Sequence, residues 1–372
     1  MCASSAAELL APRARNRALL ARQLLLERVE IPVGEAVQHL VGLQAQAPMP
    51  PYYGLWSRLE CFDPHELGRM LTQREAVRLT LMRCTLHLVT ASDALRLRPL
   101  VQPLIERRLP PHLRVAGADR DELTAAVRDL LHGGPLTARE LGTKLVEHGI
   151  GNDAERISNV AIASVPLVQV PPRGVWGAGG QAKYATLESW TGRELEAEAS
   201  MDELVLRYLG SYGPAAVMDV QKWSGLTRIK AVLERLRPRL VSFRDEHGTE
   251  LFDLPEAPRP DPGVPAPVRF LGEYDNALLA HADRRWIIPE DFPWGAMLAP
   301  GRFVNNLLVD GMLRATWWIE REGKPRATLG IRPFRAFSRA ERGQVAGEAQ
   351  RMNDFAATDA EARAVRFEEA VS

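Results

Sequence analysis

Lysine is scarce in this chain. Lys144, Lys183, Lys222, Lys230 and Lys324 are the five present in 372 residues, although basic residues number 47 in all. The remaining positive charge is arginine, which suits bidentate contacts to phosphate and equally follows from a GC-rich genome. Acidic residues also number 47, so the formal net charge is zero. That balance excludes a protein coated in DNA-binding charge, but not one with a local basic channel. Cys2, Cys61 and Cys84 are scattered and form no CxxC pair. This excludes a disulfide framework and a thiolate metal site and fits a reduced, intracellular protein. No stretch of 18 apolar residues occurs, so neither a signal peptide nor a membrane span is expected. The glycine-rich residues 173–180 lack the lysine and the strand context of a phosphate loop. No Ser-His-Asp signature, heptad segment or low-complexity run is present.

The length points to two to four units. Three segments repeat one order: helix, turn, helix, helix, two short strands. In the first, helices are expected over 13–29, 33–43 and 51–60, with Asp63-Pro64 opening a fourth. Strands follow at 76–82 and 85–90, then a helix over 91–108. The second unit has helices over 121–131, to about 147 behind the capping box Thr137-x-x-Glu140, and over 153–163, with strands at 167–170 and 183–187. The third has helices over 202–212, from Gly213-Pro214 to 223, and to 236 behind Thr227, then a hairpin over 241–244 and 250–254. Helix–turn–helix plus a β-hairpin is the winged-helix plan, which commonly sends one helix into the DNA major groove. Three copies argue more strongly than one. The proline-dense segment 255–267 reads as a stiff linker. Beyond it, strands at 268–271, 286–288, 303–309, 313–320 and 326–331 precede a helix over 338–355 and a frayed end. The expected fold class is α+β, mainly α. Winged helices occupy 1–115, 116–198 and 199–258, and the linker and a β-rich region occupy 259–372.

Gln44-Ala45-Gln46 stands where a helical pattern stops and Pro48, Pro50 and Pro51 begin. Pro48 biases Ala47 toward extended backbone. Extended backbone puts residues i and i+2 on one face, so the two amides would point the same way, about 6.5 Å apart. That gap suits one water between two carbonyl acceptors. The alternative is a pair of polar side chains satisfying backbone at a helix end.

Gly42-Leu43-Gln44-Ala45-Gln46-Ala47-Pro48, with Leu55-Trp56 after it, resembles the catalytic segment of the AlkZ/YcaQ-type winged-helix DNA glycosylases. Met82-Arg83-Cys84-Thr85-Leu86-His87-Leu88-Val89 resembles that family's first wing, with Cys84 where a glycine is usual. The run from Glu273-Tyr274-Asp275-Asn276 to Ala282-Asp283-Arg284, and Val309-Asp310-Gly311, resemble its C-terminal blocks. The blocks stand in order across residues 10–350, and the Gln-x-Gln form is similar to the AlkZ-like branch.

The resemblance implies a monofunctional enzyme acting on double-stranded DNA within a concave channel. It would hydrolyse the N-glycosidic bond of N7- or N3-alkylated purines, bulky adducts and interstrand crosslinks included. Alkylation makes the purine cationic, so it departs as a neutral base and needs no general acid. Gln44 and Gln46 would then be the catalytic pair, orienting water toward C1′ rather than acting as a base. No lysine lies within the motif to form a Schiff base, so no lyase step is expected. The resemblance implies no cofactor, and a monomer in the cytoplasm, associated with the bacterial nucleoid.

Arg83 and His87 are spaced to share one face of a strand, either lining the channel or forming the outward side of a wing. His281, Asp283, Arg284 and Arg285 either contact DNA near the lesion or form a loop network in which Asp283 fixes His281. No third ligand stands near His281-x-Asp283, so no metal is expected. Tyr52 and Tyr53 either stack on the lesion or pack under the loop. The Arg13, Arg15, Arg17, Arg22 cluster and Arg235, Arg237, Arg239 either meet phosphates or form solvated faces. Trp317-Trp318 and the turn 322–325 read as a hairpin with one tryptophan in the core and a tip that probes a groove. The first rival reading is a non-catalytic winged-helix DNA-binding regulator, favoured by the basic helix 227–236. The second is an interaction scaffold that no longer binds DNA.

Overall fold

The computed structural model describes residues 8–108, 120–292, 305–322 and 326–371. Cys2 and the hairpin tip 323–325 therefore lie outside the described residues. Helices and strands mix in an α+β fold. The first unit places Pro12–Arg22, Val33–His39, Pro50–Trp56 and Pro64–Thr72 ahead of strands Ala76–Thr80 and Leu86–Thr90. The second sets Arg120–His132, Ala138–Glu147 and Ala154–Ser164 before strands Leu167–Val170 and Lys183–Thr186. The third sets Met201–Tyr212, Val217–Ser224 and Ile229–Leu236 before Val241–Arg244 and Glu250–Asp253. Local chemistry sets several starts. The Thr137/Glu140 capping box closes, and Asp63 and Asp153 accept bonds from their first helical turns. The first helix stops at Arg22, short of the expected 29, because Leu24 turns left-handed with φ +57°. Thr227 caps nothing: Arg228 holds the N-cap position in a left-handed conformation.

The hairpins of the first two units do not stand apart. They merge into one six-stranded antiparallel sheet, ordered Leu43–Gln44, Leu86–Thr90, Ala76–Thr80, Leu167–Val170, Lys183–Thr186, Leu136–Thr137. Leu79 opposite Val168 makes the join. One continuous core crosses all the expected divisions, with Leu19, Val77, Val168, Tyr208, Trp223 and Leu278 in the same cluster.

A five-stranded sheet closes the C-terminal region. Its last strand, Ala362–Phe367, runs parallel to Arg326–Pro333, where a frayed end was expected. Its residues alternate between exposed and half-buried, so no strong hydrophobic run marks it. Trp286–Ile288, expected as a strand, forms a turn instead. Its apolar residues are buried in the core with only a single ladder-like bond, from Leu313 N–H to the Ile287 carbonyl. A short buried apolar run does not by itself distinguish a strand from a packed turn. Trp317 and Trp318 are both buried, not one alone.

Of the arginines of the first helix, only Arg13 is exposed, so they do not form a solvated face. Arg15, Arg17 and Arg22 are buried. Arg22 grips Asp253 through both its terminal nitrogens, at 2.6 and 2.9 Å. Arg13, Arg17 and Arg22 also donate to the carbonyls of Pro262, Val264 and Pro258. The proline-rich linker is thus strapped along this helix. Arg235 pairs with Asp202, and Arg237 with Glu234 and Glu250, so two of the later arginines are neutralised at the surface. No helix among the described residues is long and apolar enough to cross a membrane.

Candidate active site

Gly42 opens the segment that carries the two glutamines. Its φ is +86°, and a side chain there would meet Val89 Cγ1 at 2.4 Å and the Leu88 carbonyl at 2.9 Å, so only glycine fits. Asn276 holds the Gly42 carbonyl at 2.6 Å from the C-terminal region. The chain then extends. Leu43–Gln44 pairs with the strand Leu86–Thr90, placing Gln44 opposite His87. Ala45 N–H donates to the Leu86 carbonyl at 2.7 Å, and the buried Arg78 holds the Ala45 carbonyl at 2.8 Å. At Gln46 the side chain takes over from the backbone: Leu86 N–H donates to Gln46 Oε1 at 2.8 Å.

Gln44 is buried, whereas Gln46 is exposed. Arg83 Nη2 donates to Gln44 Oε1 at 2.7 Å. A backbone N–H and a guanidinium can only donate, so the atoms facing them are the carbonyl oxygens of both amides. Each oxygen keeps one further lone pair. Two oriented acceptors therefore stand two residues apart, Gln44 at the end of the strand and Gln46 where the chain bends.

Arg83 does not sit on a strand beside His87. It occupies the turn Met82–Cys84, with φ +56°, and also donates to the Trp223 carbonyl of the third unit. Burial lowers its pKa from the ordinary arginine value. Its polar contacts point inward, to Gln44 and Trp223, rather than out toward a phosphate. Cys84 follows with φ +62°, which gives a physical reason for a glycine to be usual there. Cys84→Gly is expected to be neutral or to stabilise by up to about 1 kcal/mol, because relief of left-handed strain offsets the added chain entropy. Cys84→Val should instead destabilise by about 1–2 kcal/mol. Urea unfolding of the two variants checks the difference.

His87 is fully buried, its Nδ1–H donates to the Thr85 carbonyl at 2.9 Å, and its Nε2 has no partner. It does not reach a channel surface. Burial, then the Arg83 charge, pushes its pKa down to about 3. His281 is likewise buried, 3.0 Å from the Tyr212 carbonyl and edge-on to Trp286. Burial pushes its pKa down to about 4. Asp283 fixes Arg285, not His281. Arg285 is exposed and also reaches His247 at the tip of the third unit's hairpin, while Arg284 donates to the Leu278 carbonyl.

Both buried histidines are neutral in the folded state. In the unfolded chain each titrates near 6.5. Below that pH the unfolded state binds more protons, so stability falls as pH drops toward their folded values. Between pH 7 and pH 5 the loss should be on the order of 2 kcal/mol per histidine. Chemical unfolding at the two pH values checks this, and His281→Gln should reduce the pH dependence by about one proton.

Tyr52 is packed under the loop between the second unit's strands: its hydroxyl donates to the Gly174 carbonyl at 2.7 Å, and its ring lies 5.0 Å from Trp176. Tyr53 is only half-buried, set edge-on to Trp317. It lines a cleft of about 590 Å³ together with Gln46, Met49, Arg173, Asn305 and Trp318. Sequence reasoning missed Met49, Arg173 and Asn305, which carry no local motif and meet only in the fold. It also missed Glu273, half-buried beside this region, whose N–H donates to Asn305 Oδ1 at 2.9 Å. Burial raises the Glu273 pKa above the usual carboxylate value. No cluster of potential metal ligands occurs among the described residues.

The family model described as DNA glycosylase AlkZ-like matches residues 37–355. An interstrand DNA cross-link repair glycosylase from Streptomyces sahachiroi is 25% identical over 323 residues, covering 80% of this chain and 85% of that protein. The solved structure of Streptomyces sahachiroi DNA glycosylase AlkZ superposes with a TM-score of 0.76 at 21% identity, covering 97% of this chain and all of that one. That likeness is one of fold. The family match over most of the chain places the protein in the AlkZ-like family of DNA glycosylases, enzymes that act on N-glycosyl bonds.

Proposed function

We propose that this enzyme is a monofunctional glycosylase for N7- and N3-alkylated purines in duplex DNA, and that Gln44 and Gln46 hold the attacking water. The observation that carries this reading is the pair of fixed amide oxygens, each with one donor already in place and one lone pair left. A water bridging them would have both hydrogens directed and a lone pair free for C1′. Cationic nucleosides are the suited substrates, because an amide can neither protonate a poor leaving group nor act as an effective base toward the water. The name of the Streptomyces relative extends the proposal to interstrand crosslinks. The enzyme would act as a monomer without a cofactor. Arg83 is a positioning residue, holding Gln44 rather than touching phosphate.

The test is incubation with a duplex carrying one N7-methylguanine. Free 7-methylguanine and an alkali-labile abasic site are expected, without prior strand cleavage by the enzyme. Sequence-specific binding with no base release from any alkylated duplex would overturn the proposal and favour a regulator using the exposed Arg228 and Lys230.

A further inference from the structure

Where the proline-rich linker ends, a groove of about 670 Å³ lies between the residues 265–269 and the helix Arg339–Ala356, with Leu26 also lining it. It shares no lining residue with the cleft beside Gln46. Gly343 and Gly347 line it from the helix, and their spacing of four puts them on one face. A side chain at either would meet nothing within 4 Å, so no packing contact demands glycine there. Glycine weakens a helix interior. What the pair leaves in return is a helix backbone open to whatever enters the groove.

Arg269 lines the same groove and is only 5% exposed. Its Nε–H donates to the Leu25 carbonyl at 2.8 Å, and its two terminal nitrogens have no hydrogen-bond partner among the described residues. The buried Arg15, Arg17, Arg22 and Arg58 each face an aspartate, whereas no carboxylate among the described residues pairs with Arg269. The guanidiniums of Arg28, Arg269 and Arg351 instead surround the single carboxylate of Glu348. Both oxygens of Glu348 are already taken, one by Arg28 at 2.6 Å and the other by Arg351. Arg58, the other cation acting on Arg269, is neutralised by Asp275. Burial, then the Arg28 charge, lowers the Arg269 pKa to about 10, so the group stays cationic at neutral pH. A buried charge is ordinarily paired, and this cluster lacks the anion that would pair it.

We infer that the groove is a binding site for a phosphate group, gripped by the terminal nitrogens of Arg269 and flanked by the exposed Arg351. A guanidinium fork matches two phosphate oxygens, and the surplus of positive charge over Glu348 matches a dianion. The open helix face at Gly343 and Gly347 lets the group approach closely. Ala266, Pro267 and Val268 offer apolar surface to the moiety that carries it. The site is separate from the glutamines and does not depend on how they act. A free phosphomonoester and the backbone of bound DNA present the same chemistry.

The test is a titration of the full-length protein with inorganic phosphate at constant ionic strength, followed by phosphorus NMR line width. Saturable binding is expected with a Kd of about 1–10 mM. Arg269→Met should weaken it by about tenfold or more. Gly347→Leu, which fills the groove without touching the arginine, should weaken it as much while leaving the thermal midpoint unchanged or raised. The second variant separates loss of the site from loss of the fold. Binding of an undamaged duplex distinguishes the two sources. If DNA supplies the phosphate, Arg269→Met should lower the salt slope by about one unit. If a free ester supplies it, the slope stays as in the wild type while phosphate binding is lost. Absence of saturable phosphate binding together with an unchanged salt slope, or phosphate binding that persists in both variants, overturns the inference.

Discussion

Gln46→Ala is expected to slow release of 7-methylguanine by on the order of 10²-fold or more in single turnover, with little change in DNA affinity. Loss of one preorganised polar group at a reacting centre commonly costs this much, near 2.7 kcal/mol of transition-state stabilisation. Gln46 is the exposed member of the pair and faces the cleft. Its oxygen is held only by a neutral backbone N–H, so it keeps more acceptor strength than Gln44, whose oxygen faces a guanidinium. Gln44→Ala should therefore show the smaller catalytic loss but the larger loss of stability, because it leaves the half-buried Arg83 without one of its acceptors. Arg83→Met should lower turnover through disorder of Gln44 while leaving the salt dependence of DNA binding unchanged. A true phosphate contact would reduce that slope by about one unit.

Arg58→Ala should destabilise the protein by about 3–5 kcal/mol, the usual cost of leaving one partner of a buried ion pair uncompensated. Arg58 meets Asp275 through two bonds of 2.8 Å, with both side chains buried, and also donates to the Gly54 carbonyl and to Gln23. Asp275 caps the short helix Asn276–Leu279, and Asn276 in turn holds the Gly42 carbonyl. The defect would therefore run directly into the turn that aims Gln44 and Gln46. Thermal unfolding should show the loss, and base release should fall even below the transition temperature. Asp275→Asn combined with Arg58→Met should recover part of the stability, since no buried charge then stands alone.

What could be read from the residues depended on how local its cause was. The capping box at Thr137, the helix Ala91–Arg108 and the extended backbone at Gln44 follow from neighbouring residues, and each was legible, whereas the second helix was expected to reach Leu43 and stops at His39. The strands at 76–82 and 85–90 left Arg83 and Cys84 as their connection, but its left-handed conformation was not legible, because neither residue is glycine. Burial of Arg15, Arg17 and Arg22 was equally hidden, since their partners Asp219, Asp310 and Asp253 lie some two hundred residues or more away. The histidines show the same limit. His87 and His281 look like surface ligands beside arginine, and only the packing around them makes them buried and neutral. The glutamine pair was legible as a motif, whereas its donors, Arg83 and Leu86 N–H, and the cleft behind it came from the assembled fold.

The central claim is that two amides serve a leaving group already activated by charge. Its most direct test is a single-turnover comparison of two duplexes, one with N7-methylguanine and one with hypoxanthine at the same position. Release of 7-methylguanine well above the spontaneous rate, with hypoxanthine indistinguishable from the no-enzyme control, is the predicted result. Comparable release of both would contradict the account. A neutral purine needs a proton to depart, and the half-buried Glu273, with its raised pKa, would then be the first group to examine as the acid.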